Sequence, residues 1–443
     1  MPIQHTGTIP FGPTMKVESY ALANGLRLLV EVDPSAPVVC LQTWVRVGSR
    51  FEREGKTGIC HLFEHLMFGE TELSGPGVFD RTLEEAGVET NAATFLDWTY
   101  YHQNLPKEAL ALSIRLESER LTRLVLREPQ VASEKEVVSN ERRQRVDDDI
   151  DGFVSELLYK TAFERHGYGI PTIGWMKDIQ AFTPEDCVAF YKTYYAPNNV
   201  TLVVVGDVEL PALLDLVERH YGGFDASVIP PEVERPEPPQ IAERRVSVEK
   251  PTETFKVAVG YKSPAFGDPD HAPMSVLSEI LFGGRGSRVH RALVRTKEIA
   301  SEVRGYVGTF KHPSLFDIWL SAREPHDSAA LLAALDEELD RVVREPVSAA
   351  ELEKAKARIE LGTLQGLESV SGKAETIGLY DTVLGTPASL FDKLEEQRRV
   401  TIEDVARVAK TYLRREGRTV VEVEPSGELE EDEDGEGDEE EAA

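Results

Sequence analysis

An internal duplication is the sequence feature that most constrains the fold of this 443-residue chain. The tetrapeptide TPED at residues 183–186 recurs as TIED at residues 401–404, an offset of 218 residues. The segment HLFEHLMFGE at residues 61–70 aligns with SVLSEILFGG at residues 275–284, an offset of 214 residues. Chains longer than about 250–300 residues usually divide into domains because a single core stops growing. The nearly constant offsets therefore predict two copies of one fold in tandem.

Proline marks the junction between the two copies. The stretch IPPEVERPEPP at residues 229–239 cannot form regular structure, and dense proline keeps it semi-extended. We therefore predict an N-terminal domain at residues 15–225, a linker at 226–243 and a C-terminal repeat of that domain at 244–425. The tail at residues 426–443 is acidic and almost free of apolar residues, which predicts disorder.

Charge and hydropathy exclude several classes of protein. The net charge is −29, and eleven of the negative charges lie in residues 428–441, which leaves −18 for the rest. An acidic body disfavours binding to nucleic acid phosphates and to anionic membranes. The N-terminus has no basic and apolar leader, and no apolar run reaches the roughly 18 residues of a membrane span. We therefore expect a cytoplasmic protein, and the three cysteines, which lack C-x-x-C spacing, predict reduced thiols.

The pattern His61-x-x-Glu64-His65 predicts a metal site on a helix. Residues at i, i+3 and i+4 share one helical face, so both imidazoles and the carboxylate project together. Imidazole nitrogens bind Zn²⁺ well, and catalytic zinc sites use three protein ligands and one open position. Bound zinc lowers the pKa of water from about 15.7 towards 7, so Glu64 can take its proton and pass it to a leaving amine. This chemistry is that of peptide hydrolysis.

Two histidines on an amphipathic helix could instead be hydrogen-bonded side chains of the core. The duplicated segment provides an internal comparison, since its apolar positions match those of the motif helix. The motif positions are occupied there by Ser275, Ser278 and Glu279. The same helix thus packs without histidine, which favours the metal interpretation.

A third zinc ligand is expected on the helix predicted over residues 133–145. Glu134 and Glu141 fall on the same stripe of that helix as Val138, whereas Glu136 lies off the stripe. A buried carboxylate is costly unless it is paired or bound to metal. Spacing alone leaves open which of the two carboxylates binds the metal and which orients a ligating histidine.

With these motifs, the chain resembles the pitrilysin, insulinase and mitochondrial processing peptidase family of zinc peptidases with an inverted motif. The resemblance extends over about residues 15–424 and includes NAAT at 91–94, DWTYY at 97–101 and YAPNN at 195–199. It implies an α+β fold of two homologous α/β-sandwich domains. Each domain is an antiparallel-rich sheet with helices on one side, and the two domains together form half of a clamp.

The resemblance also implies individual roles. His61, His65 and Glu141 are the implied zinc ligands, Glu64 is the general base and Glu134 is the carboxylate that orients a ligating histidine. Peptides in this family bind by adding a strand to a sheet edge. We predict a strand over residues 89–101, and the resemblance implies that Asn91 and Ala92 on it contact the substrate backbone.

The second copy departs from the family pattern. Active members carry an arginine and a tyrosine there that hold the substrate, and Arg288 matches the arginine. Ser301 stands at the tyrosine position, and Tyr306 lies five residues further on. Loss of an oxyanion donor typically lowers kcat by about 10²–10³-fold. We therefore expect a related partner subunit to supply an Arg/Tyr pair; a homodimer that tolerates Ser301, or a shift of Tyr306, is the alternative.

Together these features predict a zinc-dependent endopeptidase that hydrolyses unfolded or short peptides in a closed chamber, as the zinc-bearing subunit of a dimer. The alternatives are a non-catalytic scaffold and a peptide-binding clamp with a structural zinc. A scaffold has no use for Glu64, and a structural zinc site normally has four protein ligands.

Overall fold

The computed structural model describes residues 3–233 and 235–426. Each half of the chain forms one β-sheet with helices packed on it, so the predicted α+β class is confirmed. The tail predicted to be disordered lies, apart from Ser426, outside the described residues.

The first sheet has seven strands in the order β1-β2-β3-β7-β4-β6-β5. Strands β3 and β7 pair in parallel, and the other neighbours pair antiparallel. These strands are β1 (Gln4–Phe11), β2 (Met15–Ala21), β3 (Arg27–Val32), β4 (Val38–Val45), β5 (Glu89–Thr94), β6 (Thr99–Pro106) and β7 (Val200–Gly206).

The second sheet has five strands in the order β10-β11-β9-β12-β8. Its one parallel pair, β12 with β8, corresponds to the pair β7 with β3 in the first sheet. These strands are β8 (Arg244–Lys250), β9 (Lys256–Ser263), β10 (Ala300–Val307), β11 (Ser314–Ala322) and β12 (Arg418–Pro425).

Fourteen α-helices lie within the part of the chain that the structure describes, eight in the first half and six in the second. None of these helices is long and apolar enough to cross a membrane. They are α1 (Ile59–Leu66), α2 (Val78–Glu85), α3 (Leu110–Arg123), α4 (Glu128–Arg142), α5 (Ile150–Ala162), α6 (Met176–Ala181), α7 (Pro184–Tyr194), α8 (Leu210–Tyr221), α9 (His271–Phe282), α10 (Ser328–Arg344), α11 (Ala349–Gly366), α12 (Val370–Leu384), α13 (Ser389–Arg399) and α14 (Ile402–Tyr412).

The repeated tetrapeptides begin equivalent helices. Thr183 caps α7 and Thr401 caps α14, and in both cases the residue three positions on completes a capping box. Such reciprocal capping satisfies backbone N–H groups that the first helical turn leaves free. Each of these helices leads into a central strand, β7 or β12, so the duplication in the sequence is a duplication of topology.

The two halves exchange a helix. One face of each sheet packs on helices of its own half, as predicted. The opposite face of the first sheet, which carries Trp44 and Tyr100, is covered by α12 from the second half. Conversely, α5 from the first half covers Ala258 and Leu315 on the second sheet. Apolar residues on both faces of the central strands require such double coverage, and no pattern in the sequence indicated that it comes from the other half.

Ion pairs reinforce the contact of α12 with the first sheet. The buried carboxylate of Asp381 lies 2.6 Å from a guanidinium nitrogen of Arg27 and 3.5 Å from one of Arg46. Lys373, also on α12, pairs with Asp33 at the end of β3. The first sheet and α12 of the second half are therefore held together by ion pairs as well as by apolar packing.

Two predicted boundaries differ from the structure. Strand β1 precedes residue 15, where the first domain was expected to begin, yet it pairs with β2 over its length. The strand predicted over residues 89–101 is a hairpin, β5 and β6, with a bend at residues 95–98. The bend forms because Asp97 turns inward to bind Arg50, with 2.5 Å between Oδ1 and Nε, and to accept the hydroxyl of Tyr168.

The close packing of α12 on the first sheet should make the protein sensitive to added volume at Gly378. A Cβ atom at Gly378 would lie 2.1 Å from Nε1 of Trp44. We expect Gly378→Ala to lower the free energy of unfolding by about 1–3 kcal/mol, because overpacking forces neighbouring groups apart. Urea denaturation measures this change. The matched control is Gly362→Ala on α11, where an added Cβ meets no heavy atom within 4 Å. This substitution should raise the free energy of unfolding by up to about 1 kcal/mol. A neutral effect at Gly378 would contradict the packing described.

Candidate metal centre

Helix α1 carries the motif and is held firmly at its N-terminus. Gly58 precedes it with φ of 88°, and a Cβ there would lie 2.5 Å from the carbonyl oxygen of Ile173, so only glycine fits. The buried carboxylate of Glu52 accepts the N–H groups of Gly58 at 2.7 Å and of Cys60 at 2.8 Å. The helix start is therefore capped by a side chain from the preceding loop.

Three metal-binding groups converge beside α1. One ligand atom from each of His61, His65 and Glu141 lies within 4.8 Å of the others. The Oε2 atom of Glu141 lies 3.5 Å from Nε2 of His61 and 3.2 Å from Nε2 of His65. This oxygen is buried and accepts no hydrogen bond from the described residues. Two imidazole nitrogens and one carboxylate oxygen suit zinc with a fourth position open.

The electrostatics of the three groups suit a cation. Burial lowers the pKa of His61 to about 4, which keeps this imidazole neutral. Burial acts to lower the pKa of His65 as well, but contact with Glu141 and its charge outweigh burial and raise it. The same contact lowers the pKa of Glu141. The carboxylate is thus ionised at neutral pH, as a metal ligand must be.

The two candidate carboxylates on α4 take different positions. Glu141 reaches the ligand atoms, whereas Oε2 of Glu134 lies 3.7 Å from Nδ1 of His65, the nitrogen on the far side of the ring. A carboxylate behind a ligating histidine orients the ring and raises its basicity. Glu136 is exposed to solvent.

Glu64 is not one of the three converging donors, but it lies next to them in the cavity wall. Its Oε2 accepts a hydrogen bond of 2.5 Å from the hydroxyl of Thr94 on β5. Burial raises the pKa of Glu64. A carboxylate fixed in this way, next to three metal-binding groups, can exchange a proton with a molecule in the adjoining cavity.

That cavity has a volume of about 820 Å³ and lies between the two halves. Its walls include the motif helix, β5 and α5, and residues of the second half complete it. Asn91 and Ala92 line it from β5, the edge strand of the first sheet. Tyr306 and Asp317 line it from the second sheet.

Arg288 does not line this cavity. Its guanidinium is buried and forms two hydrogen bonds, of 2.8 and 2.9 Å, with the carboxylate of Glu351, which completes the capping box of α11. Ser301 bonds to backbone carbonyls of the neighbouring strand instead. Tyr306, five residues beyond the expected tyrosine position, is the side chain that reaches the cavity, and it is 58% exposed.

Sequence reasoning missed several residues of the site. Arg145 binds Oε1 of Glu141 at 2.9 Å, and its i+4 spacing from Glu141 could have revealed it. Thr94, Tyr159 and Asp317 come from distant segments, so no local spacing marks them.

The duplicated α+β fold, the inverted His-x-x-Glu-His motif and the distant glutamate lie in segments that match two family models. Residues 27–175 match the family described as Insulinase (Peptidase family M16), and residues 181–359 match the Peptidase M16 inactive domain. All three donors lie in the first match. The second match contains the helix with Ser275, Ser278 and Glu279 at the motif positions.

Known relatives agree with these matches. Zinc protease PqqE of Helicobacter pylori is 32% identical over 93% of this chain and 93% of its own length. The crystal structure of a protease from Helicobacter pylori superposes with a TM-score of 0.89 at 30% identity, over 93% of this chain and all of that one. The mitochondrial-processing peptidase subunit beta of Lentinula edodes is 25% identical over 92% of this chain and 89% of its own length. The chain therefore belongs to the insulinase family, peptidase family M16.

Proposed function

We propose that this protein is a zinc-dependent endopeptidase that hydrolyses unfolded or short peptides inside a closed chamber. One observation carries the proposal. The donors His61, His65 and Glu141 converge at a cavity wall, and Glu64 stands beside them without joining them. A structural metal site needs no such spare carboxylate.

His61, His65 and Glu141 would hold the zinc ion. When bound, zinc polarises a peptide carbonyl and makes a water molecule acidic enough to lose a proton near neutral pH. Glu64 accepts that proton and delivers it to the nitrogen of the leaving amine. The hydroxyl of Thr94 holds the Glu64 carboxylate in place between these two steps.

The substrate would bind along β5. Among the described strands, β5 pairs on one side with β6 and ends the sheet, so its outer edge has no strand partner, and residues 91–94 line the cavity. A peptide that adds as a further strand would satisfy the backbone groups of this edge at Asn91 and Ala92. Recognition through backbone hydrogen bonds requires an extended segment, which excludes folded proteins from the cavity.

Activity would require a second subunit. Arg288 is engaged by Glu351 and Ser301 faces a neighbouring strand, so this chain does not bring the expected Arg/Tyr pair to the metal centre. The relative in Lentinula edodes is named as the beta subunit of a peptidase. We infer that a related but different subunit contributes the pair in the cytoplasm; the alternative is a homodimer that tolerates Ser301. Tyr306 is the residue that would replace the missing tyrosine if one chain suffices.

The test is cleavage of a quenched fluorescent peptide library by the purified chain, with metal content determined on the same sample. Cleavage that a chelator abolishes and that added Zn²⁺ restores would support the proposed function and make a partner unnecessary. Stoichiometric zinc without cleavage would require the partner, and assays with candidate related subunits would follow. A chain that binds no zinc and cleaves nothing would contradict the proposal.

A further inference from the structure

The duplication allows equivalent positions in the two sheets to be assigned through strand pairing. The offset of 218 residues between the capped helices makes Val200 and Arg418 equivalent. Val200 pairs with Val45, and Arg418 pairs with Tyr261. One residue earlier, Trp44 and Gly260 are therefore equivalent.

The same register continues into the next strands. Trp44 pairs with Tyr100, and Gly260 pairs with Asp317. In the first sheet the two aromatic rings stack with centroids 4.7 Å apart, beneath α12. In the second sheet glycine and aspartate replace both rings beneath α5. Leu315 and Leu158 fill the space above Gly260, whereas Asp317, at the position of the second ring, lies in the wall of the cavity.

Asp317 is an unusual residue for this position. Its neighbours on the same face of the strand, Leu315 and Trp319, pack in the apolar cluster beneath α5. Its Oδ2 accepts a hydrogen bond of 3.0 Å from the hydroxyl of Tyr159, while its buried Oδ1 accepts none from the described residues. Burial raises the pKa of Asp317 to about 7. A buried carboxylate is costly in its charged form, so it either takes up a proton, as the raised pKa indicates, or pairs with a cation.

The other carboxylates of the cavity wall already have partners. Glu141 contacts His65 and Arg145, and Glu156 forms two hydrogen bonds with Arg142. Glu64, the general base of the proposed function, accepts the Thr94 hydroxyl, as Asp317 accepts that of Tyr159. Within residues 3–233 and 235–426, Asp317 forms no ion pair. Apart from the general base Glu64, it is thus the carboxylate of this wall that lacks a positively charged partner among these residues.

An aromatic ring stands beside this carboxylate. Tyr306 on β10 is directly opposite Asp317 on β11, which brings their Cβ atoms to about 4.5–5.5 Å. The ring of Tyr306 is exposed in the cavity. A guanidinium or ammonium group forms charge-assisted hydrogen bonds with a carboxylate and is attracted to the face of an aromatic ring, and both groups are present here.

We propose that Asp317 and Tyr306 form a specificity subsite for an arginine or lysine side chain of the peptide substrate. The peptide backbone would lie along β5 on one wall, and a basic side chain would cross the cavity to the second half. The inference rests on the proposed peptidase function, because it assigns a subsite of the same cavity. It gives the inactive half a role in selecting substrates.

The experiment compares pairs of quenched peptides that differ only by arginine or citrulline at one position, scanned along the peptide. Citrulline has nearly the shape of arginine but no charge. In the wild-type protein we expect one position at which kcat/KM for the arginine peptide exceeds that for the citrulline peptide about 10–100-fold, which is the usual contribution of a hydrogen bond to a charged group.

Asp317→Asn should reduce this ratio to about 3-fold or less, and Tyr306→Ala should reduce it by a smaller factor. Asp225→Asn, an exposed aspartate outside the cavity, is the matched control and should keep the wild-type ratio.

A second measurement separates this inference from the proposed function. Fluorescence anisotropy reports the affinity of the same peptide pairs for the Glu64→Gln protein without requiring cleavage. Tighter binding of the arginine peptide that Asp317→Asn abolishes would support the subsite even if the wild-type protein cleaves nothing. Cleavage with equal ratios at every position, or a ratio that Asp317→Asn leaves intact, would overturn the subsite and leave the peptidase function standing. Zinc content and thermal unfolding of each variant show that it is folded.

Discussion

Glu64→Gln is expected to lower kcat for peptide cleavage by about 10²–10⁴-fold, the usual contribution of a general acid or base. The amide cannot accept a proton from water, although it keeps the size of the carboxylate and can still accept the Thr94 hydroxyl. Zinc content should stay at the wild-type level because Glu64 is not one of the three converging donors. The effect should therefore fall on kcat and not on metal occupancy.

Kinetics on the best library peptide and metal analysis of the same preparation measure both quantities. Glu136→Gln is the matched control, since it removes an exposed carboxylate from α4 and should leave both values unchanged. An active, metal-loaded Glu64→Gln protein would show that another group takes the proton. If the isolated wild-type chain is inactive, the comparison is made in the complex with its partner.

Glu141→Gln is expected to produce the largest loss of zinc affinity among the carboxylates of α4. The neutral amide replaces the one anionic donor among the three, which should weaken binding more than the roughly 10–100-fold that loss of a group behind a ligand costs. Glu134→Gln should fall within that smaller range, because Glu134 contacts Nδ1 of His65 and not the ligand atoms. Glu136→Gln should match the wild-type protein.

Competition for Zn²⁺ with a chromophoric chelator measures these affinities in one series. Because all three substitutions remove one carboxylate from the same helix, a general effect of charge or helix stability would affect them alike. A greater loss for Glu134→Gln than for Glu141→Gln would exchange the two roles. Equal losses for all three would refute the assignment of a ligand on α4.

Local patterns in the sequence predicted those parts of the structure that local physics decides. The spacing of His61, Glu64 and His65 places them on one face of a helix, since 3.6 residues make one turn. Capping boxes at Thr183 and Thr401 begin helices wherever they occur, because they satisfy the same backbone groups. The proline-rich linker has no regular structure at its described residues, because proline lacks the N–H that helices and sheets need.

Spacing on α4 was less decisive. Glu134 and Glu141 share a helical stripe, so periodicity alone could not tell which one meets the metal. The position of α4 along α1 decides this, because a shift of two turns would exchange their places. The family resemblance chose Glu141, and the structure brings that residue to both histidines.

The sequence by itself determined the duplication, the family and the helical face that carries the metal-binding groups. Each of these depends on short-range spacing or on similarity along the chain. Only the tertiary structure decided that α5 and α12 are exchanged between the halves, that Arg288 is occupied by Glu351, and that Asp317 faces the metal centre across one cavity. These facts depend on contacts between residues more than 60 positions apart, which local spacing does not encode and which form only when the chain folds.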